Sequence, residues 1–259
     1  MKMHHLNVEP GEMARYVLLP GDPGRVEKIA KYLDDPHYVG TNREYTIWEG
    51  TLLGERVSVM STGMGGPSTA IAIEELVMCG CDTFIRVGTC GGVDETLVPG
   101  DLIIPTAAIR AEGTGREYAP IEYPAVADMS LVHALSEAAK KLDFTAHLGI
   151  VQCKDSYYGQ HSPDTMPCCD LLHENWKAWK MAGALGSEME SATLFLVAEI
   201  RKTRAATVLN LGRNREREAV TGDMSVDRDT SRAIQTAVEA MKMIIQKDRK
   251  ENEILTAHK

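Results

Sequence analysis

The stretch Arg56-Val57-Ser58-Val59-Met60-Ser61-Thr62-Gly63-Met64-Gly65-Gly66-Pro67-Ser68 joins a short valine-rich run to a glycine turn and then to proline. An apolar, β-branched run of that length bounded by glycine reads as a buried strand. Glycine supplies backbone conformations that other residues resist, and proline suits the first turn of a helix. From Pro67 to Met78 the apolar residues recur at helical spacing, so 67–78 is predicted to be a helix. Strand, glycine turn and helix in immediate succession are the building unit of an α/β fold.

The same alternation extends in both directions. Residues 16–20, 83–88, 101–110, 147–152 and 206–211 join 56–61 as expected strands, and 25–33, 130–142 and 188–200 join 67–78 as expected helices. The order predicts an α/β domain with a largely parallel or mixed sheet. No repeat, low-complexity tract or Gly/Ser linker divides the chain, so residues 1–259 are expected to form a single domain. Asp229 is positioned to cap a last helix, on which Ala233, Ile234, Ala237, Val238, Met241, Ile244 and Ile245 form one apolar stripe. Residues 247–259 beyond it are expected to be a charged, frayed tail, from about 248.

Composition narrows the function classes. With 28 Lys and Arg against 37 Asp and Glu, the 259-residue chain carries a net charge of −9. Duplex nucleic acid is held mainly by cationic side chains, so it is not an expected partner. No apolar run approaches the roughly 20 residues that cross a bilayer, so no membrane span is expected either. The six cysteines, at 79, 81, 90, 153, 168 and 169, show no C-x-x-C spacing, and Met1 to Val8 lacks the apolar segment of a signal peptide. Reduced thiols, a cytoplasmic location and no zinc or other metal are the resulting expectations.

Three glycine-rich segments follow expected strands: Pro20-Gly21-Asp22-Pro23-Gly24-Arg25, 61–68, and Arg86-Val87-Gly88-Thr89-Cys90-Gly91-Gly92. Each alone reads as a turn between strand and helix. Together they bring Arg25, Arg86, the Thr89 hydroxyl and glycine N–H groups to the ends of strands, where α/β folds bind ligands. That combination makes an oxyanion cradle. Neither a Walker sequence nor Gly-x-Gly-x-x-Gly is present, so free phosphate fits better than a nucleoside triphosphate.

Glu188 and Glu190 flank Met189 at the start of an apolar helix. One acid there is explained by the helix dipole. Two suggest that a carboxylate accepts the hydroxyls of a sugar while methionine packs on its face. The segment from Lys154 to Pro163 carries Tyr157, Tyr158, Gln160 and His161, side chains suited to stacking on a planar heterocycle and reading its edge; a surface loop covering the core is the alternative. His5 and Arg43, taken alone, read as a terminal residue and a solvated charge.

The residues Pro20-Gly21-Asp22-Pro23, Arg43-Glu44-Tyr45, the 61–68 glycine segment, Arg86-Val87-Gly88-Thr89 and Glu188-Met189-Glu190-Ser191-Ala192 occur in an order and spacing that resemble the nucleoside phosphorylase-I superfamily, most closely its uridine-cleaving members. The resemblance runs from about His5 to the last helix. It implies a central mixed sheet curled into a distorted barrel and flanked by helices. It implies that Gly21, Arg25, Arg86 and Thr89 hold phosphate, with Arg43 from a neighbouring subunit. Glu190 and Met189 would hold the ribose, and His5 from the neighbour would cover its 5′ end. A homodimer or a trimer of dimers follows, with inorganic phosphate as co-substrate and no other cofactor. Purine-specific relatives place an acid after the last core strand, where this chain reads Arg213-Asn214-Arg215. Gln160 aligns with a glutamine that pairs with the uracil amide, while Ser162 stands where an arginine usually follows. Lys154 and His161, as cationic donors, with Tyr157 and Arg215, complete the expected base site. The implied reaction is reversible phosphorolysis of uridine, with Arg86, Glu190, Gln160, His161 and Lys154 as its catalytic set. A purine nucleoside phosphorylase, a nucleoside hydrolase and a non-catalytic nucleoside sensor are the alternatives.

Overall fold

A computed structural model describes residues 1–257. The chain runs through β1 (Tyr16–Pro20), α1 (Pro23–Ala30), β2 (Asp34–Asn42), β3 (Tyr45–Leu52), β4 (Glu55–Met60), α2 (Gly66–Met78), β5 (Thr83–Gly92) and β6 (Leu102–Ala111). It continues with α3 (Thr114–Tyr118), β7 (Ala125–Val126), α4 (Met129–Lys141), β8 (Ala146–Lys154), α5 (Tyr157–His161) and α6 (Cys169–Met181). The last elements are β9 (Gly186–Glu188), α7 (Ser191–Ile200), β10 (Arg204–Arg213), α8 (Arg215–Thr221) and α9 (Ser231–Ala257).

β5 is the centre of the sheet. It pairs in parallel with β1 on one side and β10 on the other, and antiparallel with β9 at its end. β9 lies parallel to β8, β8 parallel to β6, and β6 returns antiparallel to β10. That circuit closes β5, β9, β8, β6 and β10 into a barrel, from which β1, β4, β3 and β2 extend as an open wing. This is the distorted barrel with a mixed sheet that the resemblance implied. Helices cover it: α7 is buried along Ser191 to Ala198 and packs against α2, β6 and β10, while α4 and α9 pack on each other and on β10. A helix apolar on all sides belongs inside a protein.

Local chemistry explains the helix starts. Asp22 caps α1 by accepting the Gly24 N–H at 2.8 Å, with Pro23 in the first turn. Asp128 caps α4 by accepting the Leu131 N–H at 3.0 Å.

Several expectations change. The segment Arg86 to Gly92 is strand, not turn. Glu188 lies in β9 and Glu190 at the cap position of α7, so both acids precede the helix rather than occupying its first turn. β2, β3, β7 and β9 were not expected as strands. Asp229 stands two residues before the helical Ser231, yet its carboxylate still accepts that residue's N–H at 2.9 Å. The expected frayed tail is helix as far as Ala257: buried Asp248 binds Arg204 at 2.6 Å and accepts the Tyr16 hydroxyl at 2.9 Å, and Arg249 binds Glu55 at 2.9 Å. Residues 258 and 259 of that expected tail lie outside the described residues.

Candidate active site

Gly63 and Gly65 follow β4 with φ of +72° and +89°, a region that side chains with Cβ resist. Their turn sets the Gly65 N–H against the Glu190 carboxylate at 2.6 Å. A cavity of about 920 Å³ opens there, lined from the ends of β1, β4, β5, β8, β9 and β10 and from α5, α6 and α8.

The cavity lining includes Gly21, Arg25, Arg86 and Thr89. A Cβ on Gly21 would lie 3.1 Å from the Gly63 carbonyl oxygen and 3.6 Å from Arg86 Nη1, so glycine keeps this wall open. Arg25 donates to the Val87 carbonyl at 3.0 Å, and burial together with the charge of Arg86 pushes its pKa down. Two guanidiniums facing one cavity are relieved by an anion between them. Arg86 is fully enclosed: burial opposes its charge, but Glu190 at 2.5 Å and Glu188 at 3.2 Å outweigh it and raise its pKa. Burial in turn pushes the Glu190 carboxyl up, against the pull of Arg86. Met189 is half-buried beside it on the same wall.

A second group of lining residues comes from β8 and α5. Lys154, the last residue of β8, donates to the Ser187 hydroxyl at 2.6 Å, and burial lowers its pKa while Glu188 resists. Ser156 caps α5 by accepting the Gly159 N–H at 2.9 Å, which turns Tyr157, Gln160 and His161 into the cavity. The rings of Tyr157 and His161 lie 4.3 Å apart, whereas Tyr158 is exposed and outside the lining. Burial, then Arg215 and Lys154, push His161 down to about 4. It is therefore a neutral imidazole at pH 7 and not the cationic donor expected. Arg215 lines the cavity from α8 and donates to the His161 carbonyl at 3.2 Å.

Arg43 and His5 do not line the cavity. Arg43 is exposed in the turn between β2 and β3 at φ +55°. His5 is bound through Nδ1 to Glu75 at 2.7 Å, and its carbonyl accepts from Asn42 at 2.7 Å, which puts it beside the Arg43 turn. Asn214, in the segment 213–215 at the end of the last core strand, is buried; it donates to the carbonyls of Asp94 and Leu97 and caps α8 by accepting the Arg217 N–H.

Ser187, Trp176 and Cys90 are among the cavity residues to which the sequence assigned no role. Ser187 stands one residue before the acidic pair. Trp176 on α6 donates its indole N–H to Glu216 on α8 at 2.8 Å, and Lys180 binds the other oxygen. This tie joins residues 40 apart in the chain and has no local signal. Cys90 also lines the cavity, and burial raises its pKa, as it does for Cys81 and Cys153. Among the described residues, no group of three or more His, Cys, Asp or Glu is arranged to hold a metal ion, and no helix is long and apolar enough to cross a membrane.

Residues 15–247 match the model of the phosphorylase superfamily. The chain is 49% identical over 245 residues to a uridine phosphorylase of Treponema pallidum (strain Nichols), covering 95% of each chain. It is 43% identical to a uridine phosphorylase of Thermococcus kodakarensis, over 95% of this chain and 87% of the relative. A guanosine phosphorylase of Halorubrum lacusprofundi is 38% identical over 82% of this chain and 84% of its own. The match to this family model and to these relatives runs along nearly the whole chain, and the chain belongs to the phosphorylase superfamily.

Proposed function

We propose that the protein is a uridine phosphorylase, converting uridine and phosphate reversibly to uracil and ribose 1-phosphate. The observation that carries this reading is one cavity lined together by Arg25, Arg86 and Thr89, by Glu190 and Met189, and by Lys154, Gln160 and His161. The segment Arg213-Asn214-Arg215 supports a pyrimidine over a purine, because it carries no acid to protonate a purine ring nitrogen.

Breaking the bond between C1′ and the base nitrogen puts positive charge on the ribose and negative charge on the base. Rate enhancement requires groups that meet both charges in the transition state. Phosphate bound by Gly21, Arg25, Arg86 and Thr89 lies under the sugar, steadies the developing oxocarbenium and forms the new C1′–O bond as the base departs. Glu190 accepts the ribose hydroxyls, exchanging its bond to Gly65 for them, and Met189 packs on the sugar face. Lys154, the Gln160 amide and a neutral His161, with Tyr157 beside them, stabilise the uracil anion, with Arg215 close by. The anion then takes up a proton.

Within one chain, Arg25 and Arg86 face Glu188 and Glu190, so a phosphate dianion calls for one more cation. Arg43 from a neighbouring subunit supplies it, and His5 beside the same turn covers the 5′ end; the protein therefore works as a homo-oligomer, in the cytoplasm. Kinetics on uridine, inosine and guanosine with phosphate test the base assignment. The reading expects uridine to be preferred by a wide margin, and preferential turnover of either purine nucleoside would contradict it.

A further inference from the structure

We propose that Ser187 is the positioning residue of the base site: one buried hydroxyl that holds both Lys154 and Gln160 where the departing base needs them. The proposal deepens the uridine reading and rests on it.

β9 is three residues long and is held on both sides. Ser187 pairs with Gly91 of β5 and with Gln152 of β8, so its Cα is fixed by two neighbouring strands. Its hydroxyl is buried and makes three contacts. The Lys154 ammonium donates to it at 2.6 Å. Its own proton faces the side-chain oxygens of Gln152 at 2.5 Å and of Gln160 at 2.7 Å.

A hydroxyl carries one proton and two lone pairs. With an ammonium on one lone pair, its O–H is polarised and donates more strongly. It can donate to only one of the two amides at a time. Donation to Gln160 ties that oxygen to the wall and turns the NH2 group toward the cavity, as a donor for a base carbonyl. Donation to Gln152 frees Gln160 to turn its oxygen to a base N–H. The two acceptors therefore give the glutamine two orientations without moving the strand. Lys154 depends on the same atom. Its ammonium lies in a site where burial opposes charge, and an ammonium buried without its acceptor is costly. Ser187 thus acts through Lys154 and Gln160 and need not touch the substrate itself.

The test is a mutant cycle in the intact protein. Ser187→Ala should lower kcat/KM for uridine on the order of tenfold while leaving the KM for phosphate nearly unchanged. In a Lys154→Ala/Gln160→Ala background, the same substitution should change kcat/KM by less than about twofold, since its targets are gone. Thermal midpoints of all four proteins report whether the strand is intact. Wild-type rates in Ser187→Ala would overturn the proposal. An equal loss in both backgrounds would also overturn it, because Ser187 would then matter to β9 alone. Failure of the wild-type protein to cleave uridine would instead remove the functional reading on which the proposal stands.

Discussion

The guanidinium of Arg86 lies 2.5 Å from Glu190 and 3.2 Å from Glu188, all three side chains buried, so replacing it disturbs both the proposed phosphate site and the carboxylate proposed to hold the sugar. Arg86→Ala leaves two buried carboxylates without their cation, a loss of about 3–5 kcal/mol. For a chain of this length that lowers Tm by roughly 10 °C, and both phosphate and nucleoside affinity should fall. Arg25 bonds a backbone carbonyl and has no carboxylate at ion-pair distance, so Arg25→Ala should raise the phosphate KM with a much smaller change in Tm. Equal losses of Tm in the two variants would contradict this division. His161 offers a pH test at the same scale. Its pKa is about 4 in the fold against 6.5 when free, so unfolding in that window takes up a proton. The stability that depends on its neutral form is complete above pH 6.5 and is lost as pH falls through about 4. Thermal melts across this range should show His161→Gln losing less stability on acidification than the wild type, and parallel curves would refute the assignment.

At the scale of elements, α9 is anchored well beyond its apolar stripe. Asp248 holds Arg204 and the Tyr16 hydroxyl, and both oxygens of this carboxylate are used. Removing residues 247–259 should therefore lower Tm by several degrees, since it orphans Arg204 against the barrel. An unchanged Tm would restore the picture of a dispensable tail. β1, β5 and β10 were legible in the sequence because their β-branched runs are buried on both faces. β2 was not: it is an edge strand with Pro36 and Gly40, exposed or half-exposed at every residue. β9 was not, because Gly-Ser-Glu has no pattern of its own and is a strand only by virtue of β5 and β8. The glycines of Arg86 to Gly92 read as a turn for a sound reason that did not apply. A Cβ at Gly88 would lie 2.7 Å from Arg86 Nη2, and one at Gly92 would lie 2.3 Å from Asn214 Cγ. They are glycines inside a strand because side chains from elsewhere occupy that space. That Gly21, Arg25, Arg86 and Thr89 lie together in the cavity lining was legible from local motifs, whereas Ser187, Trp176 and Glu216 take their contacts from partners distant in sequence.

At the scale of the molecule, the cavity within one chain lacks two of the residues assigned to it. His5 and the Arg43 turn sit together outside the lining, joined through Asn42. If Arg43 completes a neighbour's phosphate site, an Arg43→Ala chain and a Glu190→Ala chain, each inactive, should complement each other after dissociation and reassembly. In a mixed pair, the site on the Arg43→Ala chain keeps its own Glu190 and receives Arg43 from the other subunit. Random reassembly into dimers then makes roughly a quarter of the sites intact. Demonstrated exchange without recovered activity would assign Arg43 to its own chain. In the proposed reaction phosphate is the nucleophile that Arg25 and Arg86 deliver to uridine, and ³¹P NMR for phosphate and ribose 1-phosphate, with ¹H NMR for uracil, on the protein with uridine and inorganic phosphate measures this directly. The predicted result is loss of the phosphate signal with ribose 1-phosphate and free uracil appearing in equal amounts, and no uracil when phosphate is withheld. Uracil released at the same rate without phosphate, or no uracil in either case, would contradict it.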